Sequence, residues 1–277
     1  MRKMTDNKYD QWYVGLLRVG VFGLAVIALL LCFPIHRREN PVSRYKVLLI
    51  SGHVKTPTTK MDGRGAISYS GKFEYEFNDA LIESFKEKSY RVNGVSYDII
   101  IMRAADNIGL KARVQSANEI KPDFYIEIHH DSAQPGDISK ARRAGNESPA
   151  WQKISGFSTH YSESNLFPEE SKKLAELFGD EMLKLGFKPN LYHADVEKMK
   201  CADRKRGIYN RVDPKGLYVL YHATVPSIVI ECGTIVNPHE ENLMSKKDTQ
   251  LKIVTAINNA LAKYFRIKSE FDVSHKS

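Results

Sequence analysis

Cysteine and tryptophan are both scarce in this chain of 277 residues, with three and two copies respectively. Three cysteines exclude a scaffold stabilised by many disulfides and any zinc module held by four cysteines. The hydrophobic fraction of 42% and the charged fraction of 27% exclude a largely disordered chain and a collagen-like chain. Only one long hydrophobic run is present, so a membrane protein with several spans is also excluded.

The charge is unbalanced toward the positive side, with 41 lysines and arginines against 33 acidic residues and a net charge of +8. Such a charge favours polyanionic surroundings, which include nucleic acid, anionic lipid and anionic wall polymer. The basic clusters Arg142-Arg143 and Arg204-Lys205-Arg206 lack interleaved aromatic residues and any recognition motif. Nucleic acid is therefore not expected as a partner.

The one long hydrophobic run covers residues 13–33, and Arg18 is its only charged residue. A helix of about 20 such residues can cross a bilayer, and Trp12 suits the membrane interface. We predict an N-terminal cytoplasmic tail over 1–12, a transmembrane anchor over 13–33 and a linker over 34–44. A cleaved signal peptide or a lipoprotein form at Cys32 is the alternative, although no small-residue cleavage pattern follows the run. The flanking charges do not fix the orientation.

The rest of the chain is predicted to form one α/β domain over 45–266, followed by a flexible tail over 267–277. The predicted strands are 45–51, 97–102, 124–129, 156–161, a short one near 218–220, and 227–231. The predicted helices are 73–88, 110–120, 169–185 and 249–265, and residues 133–155 are predicted to be a long polar loop. Apolar strands that alternate with amphipathic helices predict a twisted, mostly parallel sheet with helices on both faces.

Polar side chains stand at the ends of three predicted strands. His53 follows the first strand, His129 ends the strand over 124–129, and Glu231 ends the last strand. Ligands of open parallel sheets bind outside the carboxyl ends of the strands, and Glu74 can reach the same edge from the start of a helix. Two histidines and a carboxylate form a catalytic zinc site with one position left open. A further carboxylate can then act as general base.

Each of these residues also has a purely structural interpretation. A single histidine at a strand end is more often part of the scaffold, and Glu74 could simply interact with a helix dipole. His130 neighbours His129, but strand alternation sends the two side chains to opposite faces of the sheet. We therefore predict His129, and not His130, as the ligand.

Six ordered motifs make the domain more specific than any single residue does. They are Ile50-Ser51-Gly52-His53, Glu74-Tyr75-Glu76-Phe77-Asn78, Met102-Arg103-Ala104-Ala105-Asp106, Arg113 with Ala117-Asn118, the run from Asp123 to His129, and the run from Pro226 to Gly233 followed by Asn237-Pro238. With this order and spacing, residues 46–265 resemble the zinc-dependent N-acetylmuramoyl-L-alanine amidase family, in its amidase 3 form.

The resemblance implies a function as well as a fold. Members bind one zinc ion, which here implies His53, Glu74 and His129 as ligands and Glu231 as the catalytic glutamate. The implied substrate is peptidoglycan or its muropeptide fragments, cut between N-acetylmuramic acid and the L-alanine of the stem peptide. Candidate substrate-binding residues are Arg113, Asn78 and Asn237.

The expected protein is therefore a membrane-anchored hydrolase with its catalytic domain in the periplasm or otherwise outside the cytoplasmic membrane. Two alternatives stay open. One is a peptidoglycan-binding module that keeps the fold without catalysis, and the other is a zinc peptidase that cuts a different amide, because a fold does not fix a substrate. The sequence does not indicate an oligomeric state.

Overall fold

An eight-stranded sheet forms the centre of the computed structural model, which describes residues 44–195, 199–212 and 217–274. Its strands are β1 (Arg44–Ser51), β2 (Ser89–Val92), β3 (Val95–Met102), β4 (Phe124–Asp131), β5 (Ser158–Tyr161), β6 (Lys200–Asp203), β7 (Ile208–Asn210) and β8 (Ser227–Thr234). Their order across the sheet is β2-β3-β1-β4-β8-β5-β7-β6.

Four neighbouring strands, β3, β1, β4 and β8, run parallel to one another. Their carboxyl ends therefore lie along one edge of the sheet, where ligands bind in open α/β folds. Strand β5 runs antiparallel to β8 and parallel to β7, and the outer strands β2 and β6 pair antiparallel with their neighbours. The sheet is thus mostly parallel, as the sequence predicts.

Helices cover both faces of the sheet. They are α1 (Glu74–Ile82), α2 (Leu110–Ile120), α3 (Pro135–Arg143), α4 (Ala150–Lys153), α5 (Pro168–Lys184), α6 (Tyr218–His222), α7 (Pro238–Met244) and α8 (Lys247–Ser274), with a 3-10 turn at Ala104–Asp106. Phe77, Phe178 and Leu261 belong to the core that α1, α5 and α8 form on one face. Val114 and Leu220 belong to the core that α2 and α6 form on the other face. The predicted α/β architecture is confirmed.

Two stretches differ from the sequence prediction because neither contains a long apolar period. The predicted loop over 133–155 contains α3 and α4, and α3 buries only Ala141. The predicted strand at 218–220 is the start of α6 instead. A run of three apolar residues does not distinguish a strand period from a helix period.

The predicted tail over 267–277 is a helix through Ser274, because α8 continues past Phe265. Two polar contacts hold this last part of the helix against the sheet. Arg266 donates to the Asn93 carbonyl at 2.6 Å, and the Lys268 ammonium lies 3.1 Å from Asp123. The sequence prediction missed them because it followed apolar spacing alone.

The predicted tail over 1–12 and the predicted anchor over 13–33 lie outside the described residues. Within the described ranges, no helix is both long enough and apolar enough to cross a bilayer.

Candidate active site

Three side chains meet at the carboxyl edge of the parallel strands: His53, Glu74 and His129. The distance from His53 Nε2 to Glu74 Oε2 is 3.0 Å, and the distance from His129 Nδ1 to Glu74 Oε1 is also 3.0 Å. One donor atom from each residue lies within 4.8 Å of the other two. Two imidazole nitrogens and one carboxylate oxygen in such a group fit the donor set of a catalytic zinc site. The residues present therefore fit the ion that the resemblance implies.

The turn after β1 places His53. Position 52 in this turn must be glycine because the His129 ring lies against it. A Cβ atom on Gly52 would lie 2.2 Å from Cε1 of the His129 ring, closer than real Cβ contacts. His53 itself has a φ of 68°, in the left-handed region that costs a residue with a side chain about 1 kcal/mol or more. The two predicted histidine ligands are thus packed against each other beside a strained turn, with ring centroids 4.9 Å apart.

Glu74 begins α1, where the positive end of the helix dipole favours a carboxylate. Its side chain is buried, and backbone N–H groups of Ala66 and His130 donate to Oε2 and Oε1 at 2.9 and 3.1 Å. Burial alone would raise the pKa of Glu74, but His53 and His129 hold it well below the usual value. The carboxylate is therefore charged and fixed in direction.

His129 has a carboxylate at each ring nitrogen. Glu74 lies at Nδ1, and Glu127 Oε2 lies 3.1 Å from Nε2. Burial alone would lower the pKa of His129, but Glu127 and Glu74 raise it to about 10. The sequence reasoning missed Glu127, although its spacing of two residues from His129 along a strand places both side chains on one face.

His130 points to the opposite face, as strand alternation predicts. Its Nδ1 lies 2.7 Å from Asn78 Oδ1, and its ring packs against Phe77 with centroids 5.7 Å apart. Burial lowers the pKa of His130 to about 4, so the ring is uncharged at neutral pH. His130 thus contacts α1 on the face of β4 opposite His129.

Glu231 is the direct neighbour of His129 in the register of β4 and β8, so the two side chains lie on one face of the sheet. Its Oε2 atom is buried and has no hydrogen-bond partner among the described residues. Burial, together with the charge of Asp131, raises the pKa of Glu231 well above its usual value, while His129 opposes this. A half-buried carboxylate with a free acceptor atom is suited to proton transfer.

The candidate substrate-binding residues, which are Arg113, Asn78 and Asn237, have buried side chains that bond to other parts of the domain. Each is at most 4% exposed. Their N–H groups donate to Glu127 Oε1, to the Gly52 carbonyl and to the Trp151 carbonyl, at 3.0, 3.2 and 2.9 Å. All three side chains are thus bonded to the scaffold around the site, and contact with a substrate stays a prediction for them.

Comparison with known proteins finds similar sequences and similar structures. The protein YqiI of Bacillus subtilis is 23% identical over 233 residues, which cover 84% of this chain and 90% of YqiI. The germination-specific N-acetylmuramoyl-L-alanine amidase of the same organism is 23% identical over 161 residues, 58% of this chain and 52% of that protein. Among solved structures, the amidase Ami1 of Mycobacterium smegmatis has a TM-score of 0.61 at 20% identity, over 80% of this chain and 97% of Ami1.

The Ami1 likeness shows a shared fold. The family-level comparison goes further, because the sequence profile of the N-acetylmuramoyl-L-alanine amidases matches residues 47–263, which include all four predicted site residues. Since that match covers most of the chain, the protein belongs to the N-acetylmuramoyl-L-alanine amidase family.

Proposed function

We propose that this protein is a zinc-dependent amidase that cleaves peptidoglycan or muropeptides between N-acetylmuramic acid and L-alanine. The observation that carries the proposal is the group of three donor atoms within 4.8 Å, with Glu231 beside it in register. Membership of the family supplies the identity of the bond. The geometry supplies the residues that would cut it.

His53, Glu74 and His129 would hold the zinc ion. When bound, zinc would supply Lewis-acid chemistry: it lowers the pKa of water, so that the water can lose a proton and attack at neutral pH, and it polarises the amide carbonyl. Glu231 accepts the proton of the attacking water and returns it to the amine of L-alanine as the amide breaks. A raised pKa suits this role because Glu231 must hold the proton between the two transfers.

The test digests purified peptidoglycan with the full-length protein and identifies the products by mass spectrometry. We expect release of intact stem peptides with free L-alanine amino termini, loss of release with a chelator and recovery with added zinc. Glu231→Gln should lower the rate roughly 100- to 10,000-fold. The matched control is Glu181→Gln, because Glu181 is a buried carboxylate on α5 that contacts Lys184 and Lys263.

Two other results would contradict the proposal. Cleavage inside the stem peptide would identify a peptidase of another amide. Muropeptide binding by a wild-type protein that takes up no zinc would identify a binding module.

The proposal also includes location. The hydrophobic run over 13–33 would anchor the protein in the membrane, with the catalytic domain in the periplasm or otherwise outside the cytoplasmic membrane. One observation supports this, because the run contains a single charged residue. The proposed substrate, a wall polymer outside that membrane, is consistent with the same location.

A further inference from the structure

An ion pair between Arg113 and Glu127 lies buried directly behind the candidate centre. The two side chains are 5% and 1% exposed, and Arg113 Nε lies 3.0 Å from Glu127 Oε1. Removing both charges from water is costly, so a buried pair is weak support for stability alone. Its position next to His129 suggests a second purpose.

The two oxygens of Glu127 have different partners. Oε1 accepts from Arg113 Nε and from the Tyr125 hydroxyl, and Oε2 lies 3.1 Å from His129 Nε2. Because two donors hold Oε1, the carboxylate is fixed with Oε2 aimed at the ring. A carboxylate oxygen accepts hydrogen bonds and never donates them when ionised, so Glu127 favours a proton on Nε2. Glu74, the carboxylate at Nδ1, would itself be a zinc ligand in the loaded protein, so it would not compete for a ring proton there. In a neutral ring with its proton on Nε2, the free lone pair is on Nδ1.

Nδ1 is the nitrogen that faces the candidate centre, since it lies 3.0 Å from Glu74. Arg113 also reaches the other histidine, because Nη1 donates to the His53 carbonyl at 3.2 Å. His53 has a φ of 68°, so this hydrogen bond helps to hold its backbone in the strained left-handed region. One guanidinium thus contacts the backbone of one predicted ligand and the carboxylate that orients the other.

We propose that Arg113 and Glu127 are positioning residues for the metal centre. Glu127 fixes His129 in the form that binds zinc through Nδ1, and Arg113 holds both Glu127 and the turn at His53. This inference rests on the proposed function in one respect, that the centre takes zinc. Loss of such an outer partner weakens metal binding by about 10- to 100-fold in other zinc proteins.

The substitution Glu127→Gln distinguishes a positioning role from a purely structural one. The single carbonyl oxygen of the glutamine side chain would accept from Arg113 and Tyr125, which turns the amide N–H groups toward His129 Nε2. A donor at Nε2 favours the ring form that carries its proton on Nδ1, the nitrogen needed for zinc. A purely structural pair would instead lower stability and leave zinc affinity and the ring form unchanged.

The experiment uses the full-length protein and zinc alone as the probe. Zinc affinity is measured by competition with a chromogenic chelator for wild type, Glu127→Gln and the control Glu181→Gln. We expect Glu127→Gln to bind zinc about 10- to 100-fold more weakly and Glu181→Gln to match wild type. Nitrogen NMR of the zinc-loaded wild type should find His129 protonated at Nε2 and bound through Nδ1.

Zinc bound through Nε2 of His129 in the wild type would overturn the inference, whatever the variants do. That measurement also decides the matter if Glu127→Gln does not fold. A folded Glu127→Gln with zinc affinity within twofold of wild type would overturn it as well. A wild type that binds zinc through Nδ1 but cuts no peptidoglycan would contradict the proposed function and leave this inference standing, and a wild type that binds no zinc would contradict both.

Discussion

His160 is a buried histidine that the proposed chemistry does not use. It lies in β5 with 4% exposure, its ring stacks on Tyr209, and its Nε2 lies 3.2 Å from Ser158 Oγ. Its Nδ1 atom has no hydrogen-bond partner among the described residues. Burial, with the positive charges of Arg211 and His193, lowers the pKa of His160 well below 6.5. The ring is therefore uncharged in the folded protein.

The lowered pKa of His160 makes the free energy of unfolding decrease as the pH falls. The unfolded chain binds a proton at this ring below about pH 6.5, while the folded protein does not, so its contribution is present above that pH and is lost as the pH falls. His160→Phe keeps a ring and removes the titration. Between pH 7.5 and pH 5, the free energy of unfolding should shift by up to about 2 kcal/mol in favour of the variant relative to wild type. Urea denaturation at both pH values measures it, and an equal difference at both would contradict it.

The four predicted site residues were accessible from sequence because each ends or closely follows a predicted strand or begins a helix. Glu127 was not, because a glutamate inside an apolar strand looks like part of the strand until its spacing to His129 is considered. Arg113 lies 14 residues before Glu127. Their contact depends on how α2 packs on the sheet, which no local pattern contains.

Long elements with a clear period were also predictable, and α2 has the predicted bounds of 110–120. Short ones were not, because the three or four residues of β6, β7 and α4 hold no measurable period. Strand β2 is a different case. Asn93 and Gly94 have φ values of 51° and 85° in the turn between β2 and β3, and Asn-Gly is the usual signal for such a hairpin. That signal was in the sequence, and the prediction overlooked it.

Helix α7 begins with a buried cap that links it to α4. The Asn237 side chain accepts from the N–H groups of His239 and Glu240, and it donates to the carbonyls of Trp151 and Ile154 at 2.9 and 2.8 Å. One amide group therefore serves two elements at once.

Asn237→Ala removes these bonds and leaves buried polar groups without partners. We expect the free energy of unfolding to fall by about 1–3 kcal/mol, with kcat/KM per folded molecule unchanged. Asn237→Asp keeps the cap acceptors but sets a buried carboxylate oxygen against the carbonyl oxygens of Trp151 and Ile154, so its loss should be at least as large. Denaturant titration and muropeptide kinetics give both numbers. A raised KM at unchanged stability would instead identify Asn237 as a substrate contact.

The proposed anchor sets how far the whole catalytic domain can act from the membrane. Fully extended, the eleven residues of the predicted linker over 34–44 span at most about 40 Å. We expect the full chain to stay with membranes after carbonate extraction, and a chain that begins at residue 44 to be released. A reporter fused after residue 277 should be active outside the cytoplasmic membrane, and activity only in the cytoplasm would contradict the proposed location.

The order of the strands also bears on how the protein avoids aggregation. Both edges of the described sheet are four-residue strands, β2 and β6, each in a hairpin with its neighbour. The strongly apolar strands β1 and β3 lie inside, where neither offers an open edge to another molecule. Local hairpins can form early, whereas β4 and β8 must meet across a long stretch of chain. In a partly folded chain in which β4 has not yet paired with β8, the edge of β4 is therefore exposed and can pair with other molecules.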